Sequence, residues 1–519
     1  MILHKIVAGA MVVMVLLMSP ALAKNTLKWA SQGDALTFDP HSQNEGPTIT
    51  ALRQIYDPLV TRSPNMELEA SLAESWELVG SDAWAFKLRQ GVTFHDGTPF
   101  TAADVKFSFE RAMSDTSDFK EQVASVKDIK IVDDHTIHFV TKGPNPIFPN
   151  EITSLSIMSQ AWAQKRKVET PQDYKGGEEN YAVRHANGTG PYKLQLREPD
   201  VRTVMVKNDN YWGTTGNIDE IIYTPVKNAA TRVAALLSGE LDFVLDPPFQ
   251  DLKRIESGSG LQVKTVNQIR TIFLGMDQSV AELRTSSLKG KNPLADMRVR
   301  KAMYQAINIE AIRKKVMRGL SYPAGIITSP GVHGHTPVLD ERHPYNVEAA
   351  KKLLAGAGYA DGFDIRLDCP NNRYNNDEAI CQAVVGMLGK IGIKVTLDAI
   401  PKSKHFPKIS KRVTDFYMLG WGVPTLDSHY VFSYLFHSEG TWNGTGYSNA
   451  EMDKLIEALA TEVDLAKRDE LIQKVWDMAR ADVVYLPLHH QVIAWGMRDK
   501  LDIPIVPNDS PQFRWANFK

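Results

Sequence analysis

Apolar positions follow two different rhythms along the chain, and the change from one to the other separates two unlike halves. From about Asn25 to Asn267 the pattern is strand-rich and mixed. Trp84-Ala-Phe-Lys-Leu-Arg89 alternates like a half-buried strand, Val92-Thr-Phe-His95 follows it closely, and Asp96-Gly97 then supplies a turn whose glycine tolerates positive φ. Thr101 opens a helix as N-cap, with Asp104 placed to answer it as the capping carboxylate, and the apolar stripe continues through Val105, Phe109 and Met113.

From about Asp277 to Arg498 helices and strands alternate. Asp296 caps a helix whose apolar positions Val299, Ala302, Met303 and Ala306 recur at helical spacing, with Gly319 closing it. Asn346 caps a second, ending at Gly356 and Gly358. Strand Phe363 to Cys369, helix Asp377 to Gly389, strand Ile393 to Ile400, a short basic helix and strand Asp415 to Leu419 then read as βαβαβ, which predicts a parallel sheet covered by helices. Ser448 with Glu451 caps a further helix buried through Met452, Leu455, Ile456 and Leu459. The fold class is α/β with two unlike lobes, and no solenoid period, low-complexity tract or coiled coil interrupts it.

Composition narrows the function classes. A chain of 519 residues with 43% hydrophobic content buries a large core, about two to four domains by length. Lys and Arg together number 59 against 61 Asp and Glu, so no field of one sign points to nucleic acid or an anionic membrane as partner. At the N-terminus Lys5 precedes an apolar run from Ile6 to Met18 and then Ala21-Leu22-Ala23, the pattern of a cleaved signal peptide covering residues 1–23. The run is shorter than the roughly 20 apolar residues that cross a hydrocarbon core, and no cysteine follows it for lipid attachment. The expectation is an exported, soluble mature chain from Lys24. Two cysteines occur, Cys369 and Cys381; export permits a bridge, and two buried thiols fit the sequence equally well, because the Cα separation decides.

Several segments carry a resemblance. Leu72-Ala-Glu-Ser-Trp76 and the run from Phe86 to Glu110, with Gln-Gly-Val-Thr-Phe-His-Asp-Gly-Thr-Pro-Phe-Thr-Ala-Ala-Asp-Val at its centre, resemble the hallmark of the peptide/nickel family of periplasmic solute-binding proteins. Tyr56-Asp-Pro-Leu59, Gly188-Thr-Gly-Pro-Tyr-Lys193, Asn210-Tyr-Trp212, Ala235-Leu-Leu-Ser-Gly-Glu-Leu-Asp242 and Asp296-Met-Arg-Val-Arg-Lys-Ala302 follow in the family's order. The resemblance implies a two-lobed Venus flytrap with an extra domain inserted in the first lobe. It divides the chain into lobe I (24–57, 190–273 and 496–519), the inserted domain (58–189) and lobe II (274–495). It also implies the periplasmic binding subunit of an ABC importer, a monomer that closes on a peptide-like or other small organic solute and hands it to the membrane permease, with no cofactor. A sensory co-receptor, or a binder of nickel chelates, opines or sugars, stays open. The hallmark itself reads as folding chemistry of the inserted domain.

The cleft between lobes is where the ligand is expected. Trp421-Gly-Val-Pro-Thr-Leu-Asp427 follows the last strand of the βαβαβ unit, outside the carboxyl ends of the strands. Trp421 offers a flat face, Gly422 lets backbone approach, and Thr425 and Asp427 bring polar groups. Peptide-binding relatives place an amine-pairing aspartate three residues after this tryptophan; here Pro424 stands there, so free dipeptides are expected to bind poorly. Arg373 beside Tyr374, in the loop Asn371 to Asn376, is placed to grip a carboxylate, although in relatives that arginine falls one residue earlier, at Asn372. From the first lobe Gln43, Asn44 and Glu45 run toward the cleft, with Glu45 a substitute partner for an amine. Trp421→Ala is expected to abolish binding with the fold intact. No nucleophile elbow, Walker loop or dinucleotide fingerprint occurs, which argues against an enzyme. His333, His335, His429, His437, His489 and His490 show no ligand spacing, so no metal site is expected.

Overall fold

The computed structural model describes residues 24–519; the expected signal peptide, residues 1–23, lies outside the described residues. Two long antiparallel strands, Leu261–Met276 and Tyr485–Arg498, form the spine of an eleven-stranded sheet. On one side the spine continues through Phe243–Leu245, Thr26–Ser31, Glu220–Pro225, Arg202–Lys207 and Tyr192–Glu198. On the other it meets Phe416–Gly422, then Phe363–Pro370 and Ile393–Ile400. These last three are mutually parallel and are joined by helices Asp377–Gly389 and Lys402–Ser410, the βαβαβ unit the pattern predicts.

The register of the spine shifts twice, between Asn267 and Thr271 and between Ile272 and Phe273. Residues Leu261 to Asn267 pair with Val492 to Arg498, and Thr271 to Gly275 pair with Tyr485 to His490, with a register break between Asn267 and Thr271. Pairing to Phe416–Gly422 starts at Arg270. The first break lies where pairing to Phe416–Gly422 begins, and the boundaries expected at 273/274 and 495/496 fall inside these two strands.

A separate four-stranded antiparallel sheet, Ala73–Leu78, Ala83–Leu88, Thr136–Thr141 and Val126–Asp133, packs on helix Ala102–Ala112 around Phe86, Phe109, Phe139 and Phe148. Its helix starts as expected: the Thr101 N–H donates to Asp104 Oδ2 at 2.9 Å, and Gly97 sits at φ +87° in the preceding turn. The hallmark run builds this domain's core through Phe94 and Phe100.

Some boundaries move. Val92 to His95 forms a turn flanked by one isolated bridge, Thr93 to Pro99, rather than a strand. The helix capped by Asp296 stops at Ala306, because Ile307 is extended (ψ 106°) and Asn308 caps a new turn; Gly319 closes that later segment. Asn449, not Ser448, caps helix Ala450–Thr461, its side chain accepting from the N–H groups of Glu451 and Met452. The strand expected from Asp415 to Leu419 runs Phe416–Gly422 and so carries Trp421 within it. Cys369 and Cys381 are bonded, with Cα atoms 6.6 Å apart, and staple the strand Phe363–Pro370 to the helix behind it. No helix among the described residues is long and apolar enough to cross a membrane.

Candidate functional site

A cleft of about 850 Å³, counting space open to solvent, lies where the first-lobe loop at Glu45, the spine at Arg270, the Arg373 loop and the end of strand Phe416–Gly422 converge. Local chemistry explains each position. Trp421 stands opposite Thr271, and Gly422 opposite Arg270, across the ladder. A Cβ on Gly422 would come within 3.3 Å of Arg270 Nη2, so glycine leaves room for that guanidinium. Gly46 does the same for Arg373, whose Nη2 would lie 2.9 Å from a Cβ there. Asp377 Oδ2 accepts the N–H groups of Arg373 (2.9 Å) and Tyr374 (3.0 Å), which shapes their loop. The Tyr374 hydroxyl accepts the Gly420 N–H at 2.9 Å, which ties that loop to the tryptophan strand. The Arg373 guanidinium lies 4.9 Å from the Tyr374 ring centre.

Trp421 sits in an aromatic wall with Tyr430, Tyr434 and Trp442, at ring separations of 6.0, 5.3 and 5.7 Å. Its indole Nε1, and that of Trp442, are buried and have no hydrogen-bond partner among the described residues. Three arginines face the same space: Arg53, Arg270 and Arg373. Burial lowers Arg53 and Arg270 to about 10 each, with Arg62 and Arg373 respectively adding repulsion, so both stay cationic at neutral pH under strain. Arg53 Nη1 and Arg270 Nε are also unpartnered among the described residues. Buried donors and cations held this way are complementary to an oxygen-bearing anion with an apolar body.

Among the described residues, Glu45 is the one carboxylate lining the cleft. Its Oε1 accepts from the Thr48 N–H (2.9 Å), the Thr48 hydroxyl (2.5 Å) and Lys402 Nζ (3.0 Å), and Oε2 faces Arg373 Nε at 3.7 Å. Burial opposes its charge, but Lys402 and Arg373 outweigh that and hold it below the usual carboxylate range. Glu45 therefore caps helix Gly46–Leu52 and bridges to Lys402, instead of standing free for an amine.

Of the residues expected from sequence, Asn44, Glu45, Arg373, Tyr374, Trp421 and Gly422 line the cleft, and Gln43, Thr425 and Asp427 do not. Gln43 turns back to the Ser42 carbonyl at 2.9 Å. The Thr425 hydroxyl is turned onto the Asp427 backbone. Asp427 Oδ2 accepts from Arg468 at 2.8 Å and lies 2.8 Å from His333 Nδ1, while Oδ1 caps helix Ser428–Val431. Despite burial, those partners hold Asp427 down to about 2. It belongs to the lobe's internal wiring. Pro424 lines the cleft, and its carbonyl accepts Arg62 Nε at 2.9 Å.

Sequence reasoning missed Arg53, Arg270, Tyr430 and Trp442. The two arginines left a signal, a lone cation inside an apolar stretch at Ala51-Leu-Arg53-Gln-Ile and Gln268-Ile-Arg270-Thr-Ile. Tyr430 and Trp442 follow a strand end in stretches rich in turn residues and left none.

Comparison with known proteins places this geometry. The family model for bacterial extracellular solute-binding proteins, family 5, matches residues 67–443. The dipeptide-binding protein of Escherichia coli K12 is 26% identical over 508 residues, covering 92% of this chain and 91% of that protein. Among solved structures, the periplasmic binding protein DppA of Helicobacter pylori in complex with the peptide STSA superimposes with a TM-score of 0.85 at 23% identity, covering 95% of this chain and 98% of that one. The binding protein AgaA of A. tumefacien R10 with agropinic acid gives 0.84 at 24% identity, covering 95% and 99%. Both share the two-lobed architecture.

Proposed function

The chain belongs to family 5 of the bacterial extracellular solute-binding proteins, and from that membership we propose that it captures a peptide-like or other small organic anion between its lobes for an ABC importer. The observation that carries the charge of the solute is the convergence of Arg53, Arg270 and Arg373 on a cleft whose single carboxylate is already paired. One end of the solute carries a carboxylate to the guanidinium groups, and its apolar body lies on the Trp421 wall. Contacts from both lobes favour the closed form, the surface the permease reads. The protein acts by binding, without turnover, as a monomer in the periplasm after cleavage behind Ala23. Lobe I (24–57, 190–273, 496–519), the inserted domain (58–189) and lobe II (274–495) are the moving parts, with the spine at Asn267 to Thr271 as hinge. The Helicobacter pylori relative is seen with the peptide STSA and AgaA with agropinic acid, in keeping with a peptide-like or other organic solute.

A thermal-shift and calorimetry panel tests it: N-acylated amino acids, acidic peptides, opines and sugar acids beside their amides and beside free dipeptides. Anions are expected to raise the melting temperature by mass action, and free dipeptides to bind poorly because Pro424 offers no carboxylate. Arg270→Gln should weaken the best anion about 10- to 100-fold, the worth of a charge-assisted hydrogen bond. Equal affinity for the matched amides, or conversion of the bound solute to a product, would overturn the reading.

A further inference from the structure

His335 and His490 have no motif spacing, yet the fold brings them together with Asp340. One ligand atom from each lies within 4.8 Å of the other two. Asp340 Oδ2 is 2.9 Å from His490 Nε2 and 3.1 Å from His335 Nε2. None of the three lines the solute cleft; His335 and Asp340 lie on the loop after strand Ser321–Pro323, which pairs with the second spine strand beside His490.

Two of the three donors, Asp340 and His490, are oriented by fixed neighbours. Asp340 Oδ1 accepts the Gly325 N–H at 2.8 Å and faces the Ile326 N–H at 3.3 Å, which aims Oδ2 between the two rings. Gly325 allows this approach, since a Cβ there would lie 2.6 Å from the Asp340 carbonyl carbon. His490 Nδ1 is 2.8 Å from the Thr271 hydroxyl, which leaves Nε2 facing Asp340. The nearby cation, Arg342, is engaged by the carbonyls of Ala324, Pro487 and Leu488. Side-chain exposures of 14% for His335, 12% for Asp340 and 3% for His490 describe a sheltered site that solvent still reaches.

We propose that His335, Asp340 and His490 form a binding site for a divalent transition-metal ion of the Zn²⁺ type. Two imidazole nitrogens and one carboxylate oxygen are the donors such ions select, and hard cations such as Mg²⁺ do not favour them. An ion at 2.0–2.1 Å from tetrahedrally placed donors holds them about 3.3 Å apart; the two separations from Asp340, 2.9 and 3.1 Å, are close to that, and the two imidazole nitrogens, within 4.8 Å of each other, close on the ion as it binds. Hydrogen bonding of the second ring nitrogen of a metal-binding histidine, as Thr271 provides for His490, is the support such ligands ordinarily have. Because Thr271 is where the spine's pairing resumes after its register shift, a bound ion braces that irregular stretch, the hinge of the proposed function.

The alternative is a metal-free triad, with Asp340 accepting from two protonated rings. Chelator-treated mature protein titrated with Zn²⁺ separates the two. Calorimetry and elemental analysis are expected to give one equivalent of Zn²⁺ per chain, with a melting temperature that rises with Zn²⁺ concentration and does not respond to equal Mg²⁺. His335→Ala and Asp340→Asn, on a surface loop, should lose that equivalent, and Arg270→Gln in the solute cleft should keep it. No bound Zn²⁺, retention of the equivalent in either loop variant, or an equal response to Mg²⁺ would overturn the assignment.

Discussion

Trp421 shows how burial changes the meaning of a residue. As a flat face beside a glycine it reads as a removable ligand wall, and Trp421→Ala as a binding lesion in an intact protein. In the structure it is 8% exposed and packs with Tyr434 and Trp442 in one hydrophobic core cluster. Emptying that volume costs about 3–5 kcal/mol, so Trp421→Ala should melt markedly lower as well as bind poorly. Trp421→Phe is the cleaner probe: it keeps most of the packing and removes the unpartnered Nε1. A loss of about 2- to 10-fold in affinity, the worth of one neutral hydrogen bond, is expected by calorimetry. Unchanged affinity would take the indole N–H out of recognition.

Two elements carry measurable stability. The Cys369–Cys381 bridge spans 12 residues and ties strand to helix beside the Arg373 loop. Chain-entropy reasoning gives it about 3 kcal/mol, so a double Cys→Ser variant should unfold at correspondingly lower denaturant, and reducing agent should affect wild type alone. At the end of helix Phe148–Glu151, burial pushes the Glu151 carboxyl up to about 7, with Asn145 donating to it at 2.8 Å. An unfolded glutamate titrates near 4.3, so between about 4 and 7 the native state holds a proton that the unfolded chain releases, and stability falls as pH rises through that window. Glu151→Gln keeps an acceptor for Asn145 and removes the slope. Urea melts should show the variant gaining on the order of 2 kcal/mol on wild type from pH 4.5 to 8, discounted for partial exposure. Parallel pH profiles would exclude Glu151 as the group responsible.

For the whole molecule, Glu45 joins two segments 357 positions apart. It caps a first-lobe helix and reaches across to Lys402 at 3.0 Å in the second lobe, beside the cleft. Removing one member of a buried pair leaves the other charge uncompensated, and under the proposed division into lobes that penalty falls on the closed arrangement. Glu45→Gln should therefore enlarge the radius of gyration of solute-free protein in X-ray scattering and weaken solute affinity. Identical scattering profiles would mean that the bridge does not hold the lobes.

By itself the sequence determined what depends on neighbours along the chain: the βαβαβ order, the caps at Thr101, Asn346 and Asp296, and the family through runs such as Phe86 to Glu110. Six of the nine residues expected from it line the cleft: Arg373 and Tyr374 follow a strand end, Trp421 and Gly422 end another strand, and Asn44 and Glu45 precede a helix start. Where caps compete, as at Ser448 and Asn449, one residue's shift was beyond it. Only the tertiary structure decided which polar groups are already paired. Asp427 looked available until Arg468, 41 positions later, and His333 claimed it, and Glu45 until Lys402 did. Arg53 and Arg270, and the His335, Asp340 and His490 cluster, come together through contacts between distant segments. Hydrogen-bond satisfaction and charge pairing are properties of positions in space, and local patterning does not encode them.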